Sequence, residues 1–214
     1  MTHAELKTLA SLYLNDPNRD VFTAANLTLL LNAAQARIAD IIEDTDESYF
    51  SGIETFAVSV DDDAWELTLP ADCMKVLLVE KVADPPIPYD YIDFRRRHAE
   101  SPATIFEGTT RIQTKLFYYL RGGKLGVVAP SEAHTIRVWY VRRLTDLSAD
   151  GDTSEIPANF HELLALEAAK RACGSVNKDF PKELADLHGA RLLELNAYVH
   201  NRARQGAKYV IPTE

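Results

Sequence analysis

The N-terminal part of the chain has the apolar periodicity of helices. Residues 24–42 present apolar side chains at steps of three and four, and Phe22 and Thr23 precede them as hydrophobic-staple and N-cap candidates. A shorter helix is predicted from about Ala4 to Leu14, where the turn-forming run Asn15–Asn18 ends it. Two helices are therefore expected within residues 1–50.

The pattern changes to alternation after residue 50, which predicts strands. Alternating or β-branched segments occupy residues 53–60, 65–69, 74–82, 112–120, 124–129 and 135–142. Gly122 and Gly123 predict a type I′ hairpin, because both central residues of that turn need positive φ. We expect Thr135–Arg142 to pair with this hairpin, Pro85–Pro88 to exclude regular structure, and the sheet to be an antiparallel meander.

Two further helices are predicted near the C-terminus. Pro157 is suited to a first helical turn that leads into a helix ending at Cys173, and a second helix begins near Pro181. The short link between them favours antiparallel packing. The predicted fold class is α+β, with an antiparallel helical bundle from the N- and C-terminal helices and an inserted antiparallel β subdomain. The expected boundaries are residues 1–50, 51–142, 143–205 and an extended tail at 206–214.

Composition is that of a globular protein of moderate size. The 214 residues are 46% hydrophobic and 26% charged, and none of the apolar runs reaches the roughly 18 residues of a membrane span. The first residues have no basic region followed by an apolar block, so no secretory signal is expected. Cys73 and Cys173 lie too far apart for a metal motif and are expected to be free thiols in a reducing cytosol.

Negative charge is concentrated between Ile38 and Met74. This segment holds eleven acidic residues and no Lys or Arg, so its charge is −11. Since the whole chain has a net charge of −9, the remaining residues sum to +2. One interpretation is an ordinary solvated face, and the other is a surface that repels nucleic acid. The candidates for a repulsive or channel-lining surface are Asp40, Glu43, Asp44, Asp46, Glu47, Asp61, Asp62 and Asp63.

Catalytic and metal-binding patterns are not found in the sequence. The run Gly122–Gly126 lacks P-loop spacing, and nucleophile-elbow and Cys–His contexts do not occur. None of the six histidines has another at the i,i+4 spacing of a zinc site, and they are His3, His98, His134, His161, His188 and His200. We therefore predict that the protein is not an enzyme and uses no cofactor or metal.

One loop comes close to a calcium motif. Asp146, Ser148, Asp150, Gly151 and Ser154 match positions one, three, five, six and nine of an EF-hand loop. Position twelve, which should be a bidentate Glu, is Pro157, and a strand rather than a helix is predicted before the loop. The alternatives are a calcium site and an Asx-rich turn that caps the next helix.

Three segments together resemble the head-to-tail adaptor, or connector, proteins of tailed bacteriophages. They are Trp65–Val76, with its Leu-Pro-x-Asp turn, Ile136–Tyr140, and Leu147–Pro157 followed by an alanine-rich helix. The resemblance covers roughly Ala24 to Val199. It implies a virion protein of the neck, a twelvefold ring beneath the portal that supports the tail and through which DNA passes without specific binding.

The C-terminal residues are predicted to form a docking tail. A tyrosine next to a β-branched pair is typical of a segment that adds to a partner's strand edge, and the resemblance implies that this end reaches the portal. The tail candidates are Arg202, Arg204, Lys208, Tyr209, Val210, Ile211 and Pro212, and the candidates for the subunit interface are Arg191 and Arg202. Competing interpretations are a small-molecule-binding or regulatory α+β domain and a scaffold for a host complex.

Overall fold

A computed structural model describes residues 1–59, 66–96, 116–128 and 132–206. The chain forms two compact units. The first, the helical unit, combines Met1–Tyr49 with Leu144–Glu214, and the second, the sheet unit, is Phe50–Arg143.

Four α-helices are described in the helical unit: α1 (His3–Tyr13), α2 (Ala24–Thr45), α3 (His161–Ser175) and α4 (Lys182–Gly206). Thr2 and Glu5 form a capping box at the start of α1, and the Thr23 side chain accepts from the Asn26 N–H at 3.3 Å, so the predicted N-cap of α2 is confirmed. A 3₁₀ turn at Ala158–Phe160 separates Pro157 from α3, which begins four residues later than the predicted helix.

The core of the helical unit is built from the apolar faces of all four helices. α3 contacts each of α1, α2 and α4, and it is buried along most of its length. The largest side chains that are almost fully buried in this unit are Leu6, Leu27, Leu31, Ile38, Ile42, Ile156, Leu163, Leu164, Leu166 and Leu195. Such burial stabilises the fold by roughly 1.5–3 kcal/mol for each large side chain.

The sheet unit contains seven described strands in the order β1-β7-β3-β4-β5-β6-β2. Their bounds are β1 (Ser51–Val58), β2 (Glu66–Thr68), β3 (Cys73–Lys81), β4 (Ile87–Tyr91), β5 (Leu116–Arg121), β6 (Lys124–Val127) and β7 (His134–Arg142). A short 3₁₀ turn follows β4 at Phe94–Arg96. The core lies on one face, where Val58, Val79, Leu125, Ile136 and Val138 pack together.

The predicted fold class is wrong. The described residues form four helices and one seven-stranded mixed sheet, instead of a helical bundle with an inserted antiparallel β subdomain. β4 and β5 run parallel, with Asp90 opposite Phe117. A parallel pair needs a long connection between its strands, and 24 residues, 92–115, separate these two. Alternation along the sequence has the same period in parallel and antiparallel strands, so it did not indicate this pairing.

Two local predictions about the sheet are also wrong. β7 pairs with β1 and β3, not with the glycine hairpin, although its inward residues Ile136 and Val138 share a core with Leu125 of that hairpin. The segment Pro85–Pro88 was expected to exclude regular structure, yet β4 begins at Ile87. Pro88 is the second residue of this strand, close to the strand start, where a missing N–H is best tolerated. The hairpin itself is confirmed, since Gly122 and Gly123 have φ of 55° and 75° between β5 and β6.

Candidate functional site

The acidic end of α2 is a cluster of like charges. Asp40, Asp44 and Glu47 are exposed, and Glu43 between them is half-buried. Burial, followed by the nearby carboxylates of these three residues, raises the pKa of Glu43. Asp46 is the C-cap of the helix, and its carboxylate accepts hydrogen bonds from the backbone and hydroxyl of Ser48. Carboxylates at a helix C-terminus oppose the helix dipole, so this cluster costs stability instead of adding to it.

The acidic block from Ile38 to Met74 divides between the two units. Asp40, Glu43, Asp44, Asp46 and Glu47 belong to the helical unit, whereas Glu54, Glu66 and Asp72 belong to the sheet unit. Asp61, Asp62 and Asp63 lie outside the described residues. The assignment of the block to one repulsive or channel-lining surface remains a prediction.

Arg191, a predicted interface residue, is held within its own helical unit. Its guanidinium donates to Glu162 of α3 at 2.9 and 2.8 Å and to Glu194 of α4 at 2.8 Å. Glu162 also accepts the Tyr13 hydroxyl at 3.0 Å, and burial together with this carboxylate raises the pKa of Tyr13 to about 12. The arginine therefore joins α3 to α4 and shares a carboxylate with α1.

Arg202 and Arg204 lie in the last two turns of α4 and are both exposed. The Arg202 guanidinium carbon is 4.1 Å from the centroid of the Tyr49 ring, a cation–π contact within the helical unit. The remaining tail candidates, Lys208, Tyr209, Val210, Ile211 and Pro212, lie outside the described residues.

The loop that resembles a calcium motif is closed by protein donors. Lys7 donates to the Asp150 carboxylate at 2.6 Å, and this ammonium lowers the pKa of Asp150. Asp152 accepts from the backbone N–H groups of Ser148 and Ala149 at 2.8 and 2.7 Å. The carboxylates of Asp150 and Asp152 are therefore already hydrogen-bonded to donors of the protein, which favours the Asx-turn alternative. In the described part of the chain, no group of three or more His, Cys, Asp or Glu residues is placed to hold a metal ion.

Sequence reasoning missed the amide side chains that fix this loop to α2. Gln35 and Asn32 are polar residues of α2, yet Gln35 is only 2% exposed. Gln35 donates to the Thr145 carbonyl at 2.9 Å and accepts from the Ser154 hydroxyl at 2.7 Å. Asn32 exchanges two hydrogen bonds with the backbone of Leu147, at 3.0 and 2.8 Å. The sequence pattern that could have indicated these contacts is the pair of neutral amides, Asn32 and Gln35, one turn apart beside the buried apolar residues of α2.

Buried histidines in the helical unit have structural roles. His161 is buried, and its Nε2 lies 2.8 Å from the Ile156 carbonyl, while burial lowers its pKa. His188 on α4 lies 2.8 Å from the Glu167 carboxylate of α3. Both histidines therefore join segments of the helical unit.

A groove of about 490 Å³ lies in the described part of the sheet unit. Tyr91 and Tyr118 line it in edge-to-face contact, and the glycine hairpin forms its rim. Its two hairpin cations, Arg121 and Lys124, both face Glu66, at 3.8 and 3.7 Å. The polar groups of the rim thus satisfy one another instead of converging on a ligand, which gives the small-molecule alternative little support.

Comparison with protein families places the chain among the head-to-tail adaptor proteins of bacteriophages, a class of structural virion proteins. The matching family model is that of the SU10 adaptor protein, and it matches residues 1–210. The chain belongs to this family. A search of curated proteins gives no match. Among the described helices, none is both long and apolar enough to cross a membrane.

Proposed function

We propose that this adaptor protein forms a twelvefold ring that joins the portal to the tail and continues the channel for DNA. The observation that carries the proposal is the family match, which extends over residues 1–210 and therefore includes both units. A ring is built from heterologous contacts, in which one side face of a subunit meets a different face of the next. Arg191 and Arg202, near the middle and the end of α4, are the proposed contributors to that seam.

The acidic end of α2 supports the channel part of the proposal. Asp40, Asp44 and Glu47 lie within about one turn of Glu43 on either side, and their charges add to burial in raising the pKa of Glu43. A dense anionic field repels phosphates, and a conduit should not bind the DNA that it conducts. We propose that Asp40, Glu43, Asp44, Asp46 and Glu47, with Asp61, Asp62 and Asp63, face the DNA.

The C-terminal segment is proposed to anchor the ring to the portal. Arg202 and Arg204 flank its start on α4, and Lys208, Tyr209, Val210, Ile211 and Pro212 supply one further cation and the apolar anchors. The partner at the opposite end would be a tail, tail-terminator or nozzle protein. The role is structural, and we propose that the chain acts without catalysis, cofactor or metal.

Light scattering after size exclusion, combined with electron micrographs, tests the ring. A mass about twelve times that of the monomer and a ring with a central hole are expected, and a strictly monomeric protein at micromolar concentration would contradict the proposal. Co-sedimentation with a portal ring tests the anchor. The full chain should sediment with the portal, and the chain truncated after Gln205 should stay in the supernatant while remaining folded.

A further inference from the structure

Among the described residues, β1 pairs with another strand along one side of its backbone only. It lies at an edge of the sheet, and β7 is its one partner among the described strands. The Arg142 N–H donates to the Phe50 carbonyl at 3.2 Å, and the register is unbroken as far as Val58 opposite His134. Since bonded and non-bonded pairs alternate in an antiparallel ladder, even-numbered residues bond to β7 and odd-numbered ones face outward. The outward N–H and C=O groups belong to Ser51, Ile53, Thr55 and Ala57.

The two faces next to this edge differ in character. On the face away from the core, Ile53 and Leu78 both lie opposite Trp139, and they are 51% and 39% exposed. On the core side, Glu54 is exposed, and burial followed by the charges of Asp72 and Glu54 raises the pKa of Tyr140. Near Ile53, the edge therefore has apolar side chains on the face away from the core and the carboxylate of Glu54 on the core side.

An open edge of this kind accepts an extended segment whose side chains alternate to match. Backbone hydrogen bonds supply the affinity, and the two faces supply the specificity. The segment should place apolar side chains beside Ile53 and Trp139 and a cation beside Glu54. Protected edges usually carry Lys, Pro or a bulge, and β1 has none of these.

We infer that the open edge of β1 binds residues 207–214 of a second copy of this chain. Residues 207–214 follow α4 directly. Within them Tyr209 and Ile211 alternate with Lys208 and Val210. In an added strand, Tyr209 and Ile211 fall on the face of Ile53 and Trp139, and Lys208 falls on the face of Glu54.

This inference rests on the proposed assembly of several copies. It assigns the tail a binding site on a neighbouring subunit before the ring binds the portal. A tail held on the neighbouring β1 edge is released when the portal offers it a better site. The portal is therefore expected to compete with this edge for the same residues.

The test uses a fluorescent peptide of residues 206–214 and the full chain carrying Tyr209→Ser and Ile211→Ser, so that its own tail does not compete. Thr55→Pro removes one outward N–H without removing a bond to β7, and Thr55→Val keeps that N–H. We expect the peptide to bind the Thr55→Val chain and to bind the Thr55→Pro chain at least tenfold more weakly, by fluorescence anisotropy. Equal binding by the two folded chains would overturn the inference.

Two further measurements complete the test. If Thr55→Pro unfolds the protein, Ile53→Lys serves instead, because a charge on an exposed edge residue blocks strand addition, and the same loss is expected. With the native tail, Thr55→Pro should also lower the average oligomeric mass, and an unchanged mass would overturn the assignment to a second copy. The peptide measurement contains no portal, so failure of the portal proposal would leave it unchanged.

Discussion

The guanidinium carbon of Arg202 lies 4.1 Å from the ring centroid of Tyr49, so a residue near the end of α4 is fixed to the residue that closes the first segment of the helical unit. A cation–π contact at a partly exposed site contributes about 0.5–1 kcal/mol. We expect Arg202→Ala to lower the stability of the helical unit by about that amount. Arg202→Lys should lower this stability by a smaller amount. Urea unfolding of the two variants measures the difference, and identical midpoints for Arg202→Ala and wild type would contradict the contact.

Exchanging the charges of Arg191 and Glu162 separates folding from assembly. Arg191→Glu alone places a third carboxylate beside Glu162 and Glu194 and should lower the melting temperature, whereas adding Glu162→Arg should restore it. If Arg191 also meets a neighbouring subunit, the double variant is folded but still fails to form the ring. A double variant that regains both its melting temperature and its full oligomeric mass would show that Arg191 serves only its own chain.

Neutralising Glu43 should stabilise the protein at pH 7. Burial and the nearby carboxylates raise the pKa of Glu43 in the folded state. The contribution of Glu43 to the free energy of unfolding is therefore complete below its pKa in the unfolded chain, about 4.3. This contribution is lost as the pH rises through the pKa of Glu43 in the folded protein. Ionised Glu43 thus opposes folding near neutrality. We expect Glu43→Gln to raise the melting temperature at pH 7 but not at pH 4. Asp186→Asn, at an exposed position on α4, is the control and should change neither value.

Calcium should not alter the melting temperature. Asp150 is paired with Lys7, and Asp152 already accepts backbone N–H groups, so a bound ion would have to replace these donors. A ligand that binds the native state must stabilise it, which makes thermal unfolding a direct measurement. Wild type in millimolar calcium should match wild type at equal ionic strength with magnesium. A clear calcium-specific rise would identify the loop from Asp146 to Pro157 as a ligand site.

Two glycines should respond to alanine in opposite directions. A Cβ at Gly126 would overlap the Tyr119 ring, so Gly126→Ala must displace a buried side chain. Such overpacking costs roughly 1–3 kcal/mol. Gly189 lies within α4, and its Cβ would meet no atom within 4 Å, so Gly189→Ala should gain about 0.5–1 kcal/mol. Chemical denaturation measures both, and destabilisation by Gly189→Ala would contradict the open space beside it.

Local structure was predictable wherever a few neighbouring residues determine it. Thr23 caps α2 through its own side chain, and Gly122 and Gly123 take the positive φ that their turn requires. The choice of strand partners was not predictable in this way. β7 lies between β1 and β3, and those pairings depend on a core assembled from residues distant in sequence. The burial of Gln35 was not predictable for a related reason, since its amide is bonded to a loop more than a hundred residues away.

The candidate site was predictable to a lesser degree. The acidic end of α2 was visible as composition, but the half-burial of Glu43 depends on packing. The charge of Arg191 is visible in the sequence, whereas its pairing with Glu162 and Glu194 depends on how α3 and α4 pack. The proposed roles of these residues in a ring, and of the tail at a portal, remain predictions.

The position of α3 also has a consequence for synthesis on the ribosome. Leu27 and Leu31 of α2 are fully buried in a core that requires α3, yet α3 begins 116 residues after α2 ends. At roughly 5–20 residues per second, α2 waits about 6–23 s with its apolar face uncovered. Chaperones therefore have a long interval in which to bind this face of the nascent chain. For the same reason, nascent chains made close together on polysomes can aggregate through it.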